Sequence, residues 1–276
     1  SKAIQIQAPE NAMDVVGTGG DGSGTLNIST GAALVVAGCG IPVAKHGNRA
    51  LSSRAGAADV LTSLGVNINC DMGLIEKSIR EAGIGFMMAP RHHSATRHVA
   101  GPRVELATRT VFNILGPISN PAQVNRLVVG VFAKEWVEPL AHVLAKLGAE
   151  KAWVVHGSDG LDELTTTGTS TVAAMENGSV NTFELSPQDA GLAVADPKDL
   201  LGGDAEFNAK ATKDMLRGES SAFRDVVAYT AAAALMVADR VADLKEGVSV
   251  AIASIDNGKA RNALDGMVAI TNEGSC

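Results

Sequence analysis

The sequence predicts an α/β fold in which helices flank a mainly parallel central sheet. Short apolar runs alternate with longer helical runs from the start of the chain to His156, and this alternation is typical of strand–helix–strand units. Gly65, Gly83 and Gly148 stand where helices commonly end in a left-handed residue. Because 46% of the 276 residues are hydrophobic, we expect a sizeable core and one domain over residues 1–276.

The apolar runs give the predicted elements in order. We expect strands at 14–16, 41–44, 84–88, 127–132 and 152–155, and helices at 30–38, 53–64, 72–82, 96–106 and 134–147. The runs at 171–175 and 180–185 predict a hairpin, because Asn177-Gly178 between them suits a type I′ turn. From Asp204 onward the pattern predicts helices alone, at 205–216, 222–242 and in two further runs that end at Thr271.

The composition excludes several classes of protein. A net charge of −7 and an aromatic content of 3% argue against a nucleic-acid partner. Cys39, Cys70 and Cys276 form no disulfide framework, which is typical of a reducing cytosol. We find no secretory signal, and the longest apolar run, 226–237, is too short to span a bilayer. We therefore expect a cytoplasmic protein with no membrane partner.

A glycine-rich run follows the first predicted strand. It reads GTGGDGSGT over 17–25 and continues as LNIST over 26–30 into the first predicted helix. Glycines allow backbone N–H groups to approach a phosphate, and a helix N-terminus adds partial positive charge. Ser29 also suits the N-cap of that helix. The run therefore predicts a site for a phosphorylated ligand, with a solvated loop that binds nothing as the alternative.

Two familiar glycine motifs fit this run poorly. Residues 17–22 match GxGxxG, but a dinucleotide site expects a carboxylate about 20 positions on, where this chain has KHGNR at 45–49. A Walker A loop would need a Lys-Ser/Thr pair after the glycines. Lys45 and Asn48 follow the predicted strand 41–44 and are expected at the sheet edge where open α/β sheets bind ligands. We therefore predict that Lys45 joins the glycine loop at one anion.

An adjacent pair of carboxylates, Asp162 and Glu163, follows the predicted strand 152–155. Mg²⁺ commonly bridges one or two carboxylates to substrate phosphates, so the pair predicts a magnesium site. A solvated turn is the alternative, since Asp159-Gly160 is an ordinary turn dipeptide. Glycosidase chemistry is disfavoured, because it needs two carboxylates ~5–9 Å apart on opposite sides of a bond.

Residues 89–103 concentrate three histidines and three arginines after the predicted strand 84–88. A zinc site is disfavoured because no cysteine partner or HExxH motif accompanies them, and a basic surface patch is the other alternative. Arginine binds planar carboxylates in a bidentate manner. We interpret the stretch as the wall for a second, carboxylate-bearing substrate, with Arg103 as its clamp. The loop at 113–121 has no assigned chemistry.

Taken together, these motifs resemble the anthranilate phosphoribosyltransferase family. The matching segments are GTGGD at 17–21, NIST at 27–30, KHGNRA at 45–50, RTVFNILGP at 109–117, NPA at 120–122 and DGLDE at 159–163. The resemblance implies transfer of the phosphoribosyl group of phosphoribosyl pyrophosphate to the amine of anthranilate, with Mg²⁺ as cofactor, in tryptophan biosynthesis. It also implies a helical domain beside the α/β domain and a homodimer formed through that helical domain.

The resemblance also implies a role for individual residues. Those expected to bind the phosphoribosyl pyrophosphate donor are Gly17, Gly20, Asp21, Thr25, Asn27, Ile28, Ser29, Thr30, Lys45, His46, Gly47, Asn48 and Ala57. Those expected to bind anthranilate are Gly17, Asn48, His93 and Arg103. The expected Mg²⁺ ligands are Ser29, Asp162 and Glu163. No general base or nucleophile is assigned, so we expect catalysis by positioning and electrostatics.

The chain departs from the family pattern in several places. Val104, Ala107 and Thr230 replace an arginine, a glycine and an asparagine that are common in the family, and Ala57 and Ser94 also differ from the usual residues. The first helices of the family are absent from this sequence. We therefore expect an incomplete helical domain, to which residues 1–10 and about 90–120 contribute.

Two other interpretations of the same motifs remain open. A pyrimidine nucleoside phosphorylase-like enzyme would bind phosphate and a nucleoside without needing the Asp162-Glu163 pair. A non-catalytic relative would bind phosphoribosyl compounds without turnover. Loss of anthranilate fluorescence in the presence of donor and Mg²⁺ separates the transferase from both.

Overall fold

A seven-stranded mixed sheet forms the centre of the computed structural model, which describes residues 4–50, 54–93, 101 and 109–274. The strand order is β3-β2-β1-β4-β5-β6-β7; the first five strands are parallel neighbours, and β6 and β7 are antiparallel. The strands are β1 (Met13–Gly17), β2 (Val43–Gly47), β3 (Ile84–Met88), β4 (Arg126–Gly130), β5 (Lys151–Gly157), β6 (Ser170–Glu176) and β7 (Ser179–Leu185). The predicted fold class, a mainly parallel sheet flanked by helices, is confirmed.

Ten α-helices of the described chain surround this sheet. They are α1 (Ile28–Gly38), α2 (Ala57–Ser63), α3 (Met72–Glu81), α4 (Ala89–His92), α5 (Val111–Leu115), α6 (Val137–Lys146), α7 (Ala205–Leu216), α8 (Ala222–Val237), α9 (Leu244–Asp256) and α10 (Lys259–Thr271). Short 3-10 turns occupy Lys134–Trp136, Pro187–Ala190 and Pro197–Leu200. Among the residues described, none of the helices has the length and apolar character needed to cross a bilayer.

The helices cover both faces of the sheet. On one face α1 is the innermost helix, packed against β1 and against α8, α9 and α10. Its side chains from Ala32 to Val36 are all buried, as expected of a helix with neighbours on every side. On the other face α6 packs on β5 and β6, where Val129, Leu140 and Val154 share a second core. The parallel strands β1 to β5 are largely buried, as parallel strands with helices on both faces usually are, whereas the edge strand β7 is largely exposed.

Several predicted details are confirmed. The helix at 205–216 has the predicted bounds, and the hairpin turns at Asn177 and Gly178, whose φ angles are +49° and +82°. A type I′ turn requires this left-handed backbone at both positions. Gly65, Gly83 and Gly148 end their helices with φ angles of +99°, +78° and +91°. The predicted single helix at 134–147 begins instead with a 3-10 turn, and the predicted helix at 222–242 ends at Val237.

The second strand differs most from its prediction. β2 covers Val43–Gly47 instead of 41–44, so Lys45 and His46 lie inside the strand. Both side chains are buried. A strand that is buried on both faces has no alternation of apolar and polar residues, so the polar residues Lys45 and His46 falsely suggested that the strand had ended. The helix predicted at 53–64 begins at Ala57, and the helix predicted at 96–106 lies largely outside the described residues.

Candidate functional site

A cavity of about 710 Å³ opens at the carboxyl ends of the parallel strands. This is the edge at which open α/β sheets usually bind ligands. Every predicted site residue within the described ranges lines the cavity: Gly17, Gly20, Asp21, Thr25, Asn27, Ile28, Ser29, Thr30, Lys45, His46, Gly47, Asn48, Ala57, His93, Asp162 and Glu163. Arg103 lies outside the described residues.

The glycine loop leaves β1 at Gly17 and crosses the end of β4. Thr18 fixes the crossing, because its N–H donates to the Gly130 carbonyl at 3.0 Å and its hydroxyl oxygen accepts the Phe132 N–H at 3.1 Å. Gly19 and Gly20 follow with φ angles of +68° and +75°, a backbone that side-chain-bearing residues rarely adopt. The glycines are therefore needed for the path of the loop along the cavity wall.

Asp162 lies against this loop and against two strand ends. Its Oδ2 accepts the Gly19 N–H at 2.5 Å and the Thr18 hydroxyl at 3.4 Å. A Cβ at Gly17 would come within 2.5 Å of that oxygen, and a Cβ at Gly130 would overlap the Asp162 carbonyl. Gly17 and Gly130 are register partners on β1 and β4. The missing side chains of this pair therefore make the space that Asp162 occupies.

The acidic wall of the cavity, which consists of Asp21, Asp162 and Glu163, brings three carboxylates together. Glu163 accepts the Ser29 N–H at 3.1 Å, and the Asp162 N–H donates to Asp21 at 3.4 Å. Burial raises the pKa of Asp162 well above its usual value, and the charges of Asp21 and Glu163 raise it further. Burial also raises the pKa of Glu163 to about 7, against the opposing charge of Lys45. Closely spaced buried carboxylates are stabilised by a bound cation.

The donor set of this wall fits a hard cation such as Mg²⁺. Within the described ranges no three His, Cys, Asp or Glu side chains are grouped as a complete metal site. Mg²⁺ does not require one, since it usually takes one or two carboxylates and completes its shell with water and substrate phosphate oxygens. Ser29, Asp162 and Glu163 supply a hydroxyl and two carboxylates beside a cavity large enough for such a substrate.

Two sequence predictions about this region need correction. Lys45 does not follow β2 but lies within it, and its Nζ donates to the Val15 carbonyl at 2.6 Å. Burial lowers the pKa of its ammonium against the raising effect of Asp14. Ser29 is not the N-cap, because α1 begins at Ile28 after Asn27. Its N–H instead joins the helix to Glu163, so the helix N-terminus and the acidic wall are held together.

A polar network that the sequence did not reveal lies beneath β2. The buried carboxylate of Asp14 accepts Asn120 Nδ2 at 2.7 Å and the His46 N–H at 3.3 Å. Asn120 Nδ2 also donates to the Ala44 carbonyl at 2.9 Å, and His46 Nδ1 lies 3.1 Å from the Gly116 carbonyl. Since a carbonyl only accepts, Nδ1 carries the proton. The network therefore fastens the loop at 116–120, which had no assigned chemistry, to the strand that carries His46.

His46 and His93 form the neutral side of the cavity. Their rings meet edge to face with centroids 5.2 Å apart, and burial lowers the pKa of His46 to about 3. The neighbouring residues of the predicted basic wall face elsewhere. Arg91 donates to the Ile68 and Cys70 carbonyls, and His92 Nδ1 lies 2.9 Å from the Ile4 carbonyl. Of the predicted histidine and arginine stretch, His93 is thus the described member that lines the cavity with its neighbour Pro90.

Asn27 lines the cavity with help from a distant helix. Its Nδ2 donates to the Ala55 carbonyl at 3.2 Å, and its Oδ1 accepts Nδ2 of Asn208 at 2.9 Å. Asn208 lies on α7 and also accepts the Gly203 N–H at 2.8 Å. Sequence reasoning missed Asn208, because a contact across 181 positions leaves no local pattern.

The chain matches known proteins along most of its length. Residues 9–261 match the family model described as "Glycosyl transferase family, a/b domain". The anthranilate phosphoribosyltransferase of Paramagnetospirillum magneticum is 59% identical over 275 residues, which cover 100% of this chain and 80% of that protein. That of Azospirillum brasilense is 58% identical, with coverage of 99% and 76%.

Solved structures show the same likeness. The Thermus thermophilus anthranilate phosphoribosyltransferase superposes with a TM-score of 0.92 at 43% identity, covering 98% of this chain and 81% of that one. The Saccharomyces cerevisiae enzyme in complex with PRPP and Mg gives a TM-score of 0.88 at 30% identity, with coverage of 98% and 76%. The chain therefore belongs to the anthranilate phosphoribosyltransferases, a family of pentose-transferring enzymes.

Proposed function

We propose that this chain catalyses the Mg²⁺-dependent transfer of the phosphoribosyl group from phosphoribosyl pyrophosphate to anthranilate, as a step of tryptophan biosynthesis. The products are N-(5-phosphoribosyl)anthranilate and pyrophosphate. The observation that carries the proposal is the meeting of the glycine loop, the α1 N-terminus and the acidic pair in one cavity of about 710 Å³. The yeast relatives support it, since one is described with PRPP and Mg and another with 4-fluoroanthranilate.

The pyrophosphate donor would bind along the glycine loop and the start of α1. The loop from Gly17 to Thr25 lines a cavity that also receives the N-terminus of α1, and glycine loops and helix N-termini both attract phosphate oxygens. Asn27 and Asn48 add amide groups on the same walls. Lys45 contributes positive charge from within the sheet, where it lies beside the acidic wall.

Ser29, Asp162 and Glu163 would hold the Mg²⁺. When bound, the ion would neutralise charge on the leaving pyrophosphate. Burial raises the pKa of both carboxylates, and the charges of Asp21 and Glu163 raise that of Asp162 further, so a cation bound beside them would favour their anionic forms.

Anthranilate would bind on the neutral side, at Gly17, Asn48 and His93, with its carboxylate held by Arg103. Its amine would attack the anomeric carbon as the bond from that carbon to the pyrophosphate oxygen breaks, and the amine would then release a proton. Because His46 is neutral, its ring would not repel the positive charge that develops at the ribose. Positioning and electrostatic stabilisation would supply the rate enhancement.

The test is the loss of anthranilate fluorescence on mixing the chain with phosphoribosyl pyrophosphate and Mg²⁺. We expect a steady decrease that stops when EDTA is added and that requires all three components. A flat trace with intact donor binding, measured by calorimetry, would contradict the proposal and support a non-catalytic relative. Phosphorolysis of thymidine or uridine in the same preparation would support a nucleoside phosphorylase instead.

A further inference from the structure

Two asparagines far apart in sequence form one hydrogen-bonded chain at the cavity wall. It runs from the Gly203 N–H to Asn208 Oδ1 at 2.8 Å, from Asn208 Nδ2 to Asn27 Oδ1 at 2.9 Å, and from Asn27 Nδ2 to the Ala55 carbonyl at 3.2 Å. Gly203, Asn27 and Ala55 line the cavity, whereas Asn208 is 1% exposed and lies behind them.

The backbone groups at the two ends determine the orientation of both amides. The Gly203 N–H only donates, so the Asn208 atom that faces it is the oxygen, and Asn208 turns its NH₂ group toward Asn27. The Ala55 carbonyl only accepts, so the Asn27 atom that faces it is the nitrogen. Each link in the chain is satisfied in this arrangement alone. Asn208 therefore holds the Asn27 oxygen and stabilises the same amide orientation that the Ala55 carbonyl requires.

The backbone around this chain is also paired. The Leu26 N–H donates to the Leu200 carbonyl at 3.0 Å, and the Gly202 N–H donates to the Gly24 carbonyl at 2.9 Å. A Cβ at Gly202 would lie 2.7 Å from the Thr25 carbonyl. Because this pairing holds the end of the glycine loop beside the start of α7, Asn208 reaches Asn27 across a fixed distance.

We propose that Asn208 is a positioning residue for the phosphate-bearing substrate, and this inference rests on the proposed function. Asn208 acts through Asn27, whose NH₂ group is held with one N–H on the Ala55 carbonyl, so that the second N–H is the one that would donate to a phosphate oxygen in the cavity. If the Asn27 amide turned over, its carbonyl oxygen would face the Ala55 carbonyl and would offer a phosphate oxygen no N–H donor. We therefore expect the Asn27–Asn208 pair to contribute to binding of phosphoribosyl pyrophosphate and not to binding of anthranilate.

The test compares Asn208→Asp with the wild type in steady-state kinetics. A carboxylate at 208 still accepts the Gly203 N–H but cannot donate to Asn27 Oδ1. We expect the KM for phosphoribosyl pyrophosphate to rise about tenfold, as for the loss of one hydrogen bond, while the KM for anthranilate stays within about twofold. An equal rise in both KM values, or no rise in either, would overturn the inference.

Thr212→Val is the matched control. Thr212 is buried one turn further along α7, and its hydroxyl donates to the Asn208 backbone carbonyl at 2.9 Å. The substitution removes a buried hydrogen bond from the same helix but leaves the Asn208 side chain in place. We expect a lower melting temperature with the donor KM within about twofold of the wild type. A donor KM raised as much as in Asn208→Asp would show that α7 stability alone is responsible.

A double-mutant cycle with Asn27→Ala tests the route of the effect. If Asn208 acts through Asn27, Asn208→Asp changes the donor KM by no more than about twofold in the Asn27→Ala background. Equal effects in both backgrounds would overturn the inference. If Asn208→Asp does not fold, Asn208→Ala replaces it in the same cycle.

A wild-type chain without turnover would contradict the proposed function, not the positioning role. Calorimetric binding of pyrophosphate with Mg²⁺ in the four proteins of the cycle would then decide the positioning role. Coupled losses of pyrophosphate affinity would support it, and independent losses would overturn it.

Discussion

Two groups of buried carboxylates lie near the same strand ends but differ in their partners. Asp14, inside β1, accepts hydrogen bonds from Asn120 and the His46 N–H and lies outside the cavity lining. Asp162 and Glu163 line the cavity, and the chief charges that act on Asp162 are other carboxylates. Within the protein, Asp14 therefore has both neutral hydrogen-bond donors and the positive charge of Lys45 as partners. The chief charged neighbours of Asp162 are instead Asp21 and Glu163, and this difference supports the proposal that Asp162 and Glu163 hold the metal.

The largest expected effect comes from removing charge from the cavity group. In the double variant Asp162→Asn, Glu163→Gln, we expect Mg²⁺-dependent turnover to fall on the order of 10³-fold or more, because the cation loses both carboxylate ligands. Anthranilate fluorescence at saturating Mg²⁺ measures it. The control is Glu135→Gln, Glu138→Gln, which removes the same charge from exposed positions around the start of α6. Unchanged turnover in the first variant would refute the metal assignment.

The second-largest effect is expected from filling the space that Gly130 leaves for Asp162. In Gly130→Ala the new methyl group would overlap the Asp162 carbonyl, so we expect the free energy of unfolding to fall by about 3 kcal/mol and turnover to fall with it. Urea denaturation measures the first quantity. Gly73→Ala is the matched control, since nothing lies within 4 Å of a Cβ placed there on α3, and we expect it to be neutral or slightly stabilising. Equal losses in both variants would contradict the packing argument.

The Asp14 group should show itself in the pH dependence of stability. Burial raises the pKa of Asp14 from 3.8 to about 6, against the opposing charge of Lys45. At pH values from about 4 to 6 the folded state therefore binds more protons than the unfolded state. About 3 kcal/mol of stability is lost as the pH rises through this range. Asp14→Asn should flatten the pH dependence of the unfolding free energy at about pH 4–6, measured by urea denaturation at a series of pH values, because it removes this titrating group. A slope as steep as that of the wild type would contradict this explanation; the exposed Glu138→Gln variant is the control.

The smallest effect is expected for a carboxylate that belongs to neither group. Glu184 on β7 meets Lys134 at 2.9 Å, and the two side chains are 51% and 66% exposed. Because exposed ion pairs contribute little, Lys134→Gln should change the free energy of unfolding by about 0.5 kcal/mol or less. Turnover should not change, since neither residue lines the cavity. A loss of more than about 1 kcal/mol would contradict the argument that exposed ion pairs contribute little.

The sequence predicted the parts of the fold and site that are local in the chain. The glycine loop at 17–25, the acidic pair and the hairpin turn at Asn177-Gly178 are each encoded by adjacent residues, so their motifs are visible without the fold. The end of β2 was not predictable from polarity, because Lys45 and His46 are polar yet buried. Asn120 belongs to a motif that the sequence shows, but its contact with Asp14 was not predictable, since the two residues lie 106 positions apart.

The glycines Gly17 and Gly130 carry a further consequence for assembly. They are opposite one another on β1 and β4 and together leave the space that Asp162 fills. A shift of one residue in the register of β1 would bring Val16 or Thr18 to the position of Gly17, and the same shift in β4 would bring Val129 or Val131 to that of Gly130. A side chain at either position would exclude Asp162. Asp162 can therefore dock only on correctly aligned strands. The residue proposed to hold the metal thus also serves as a check on strand alignment during folding.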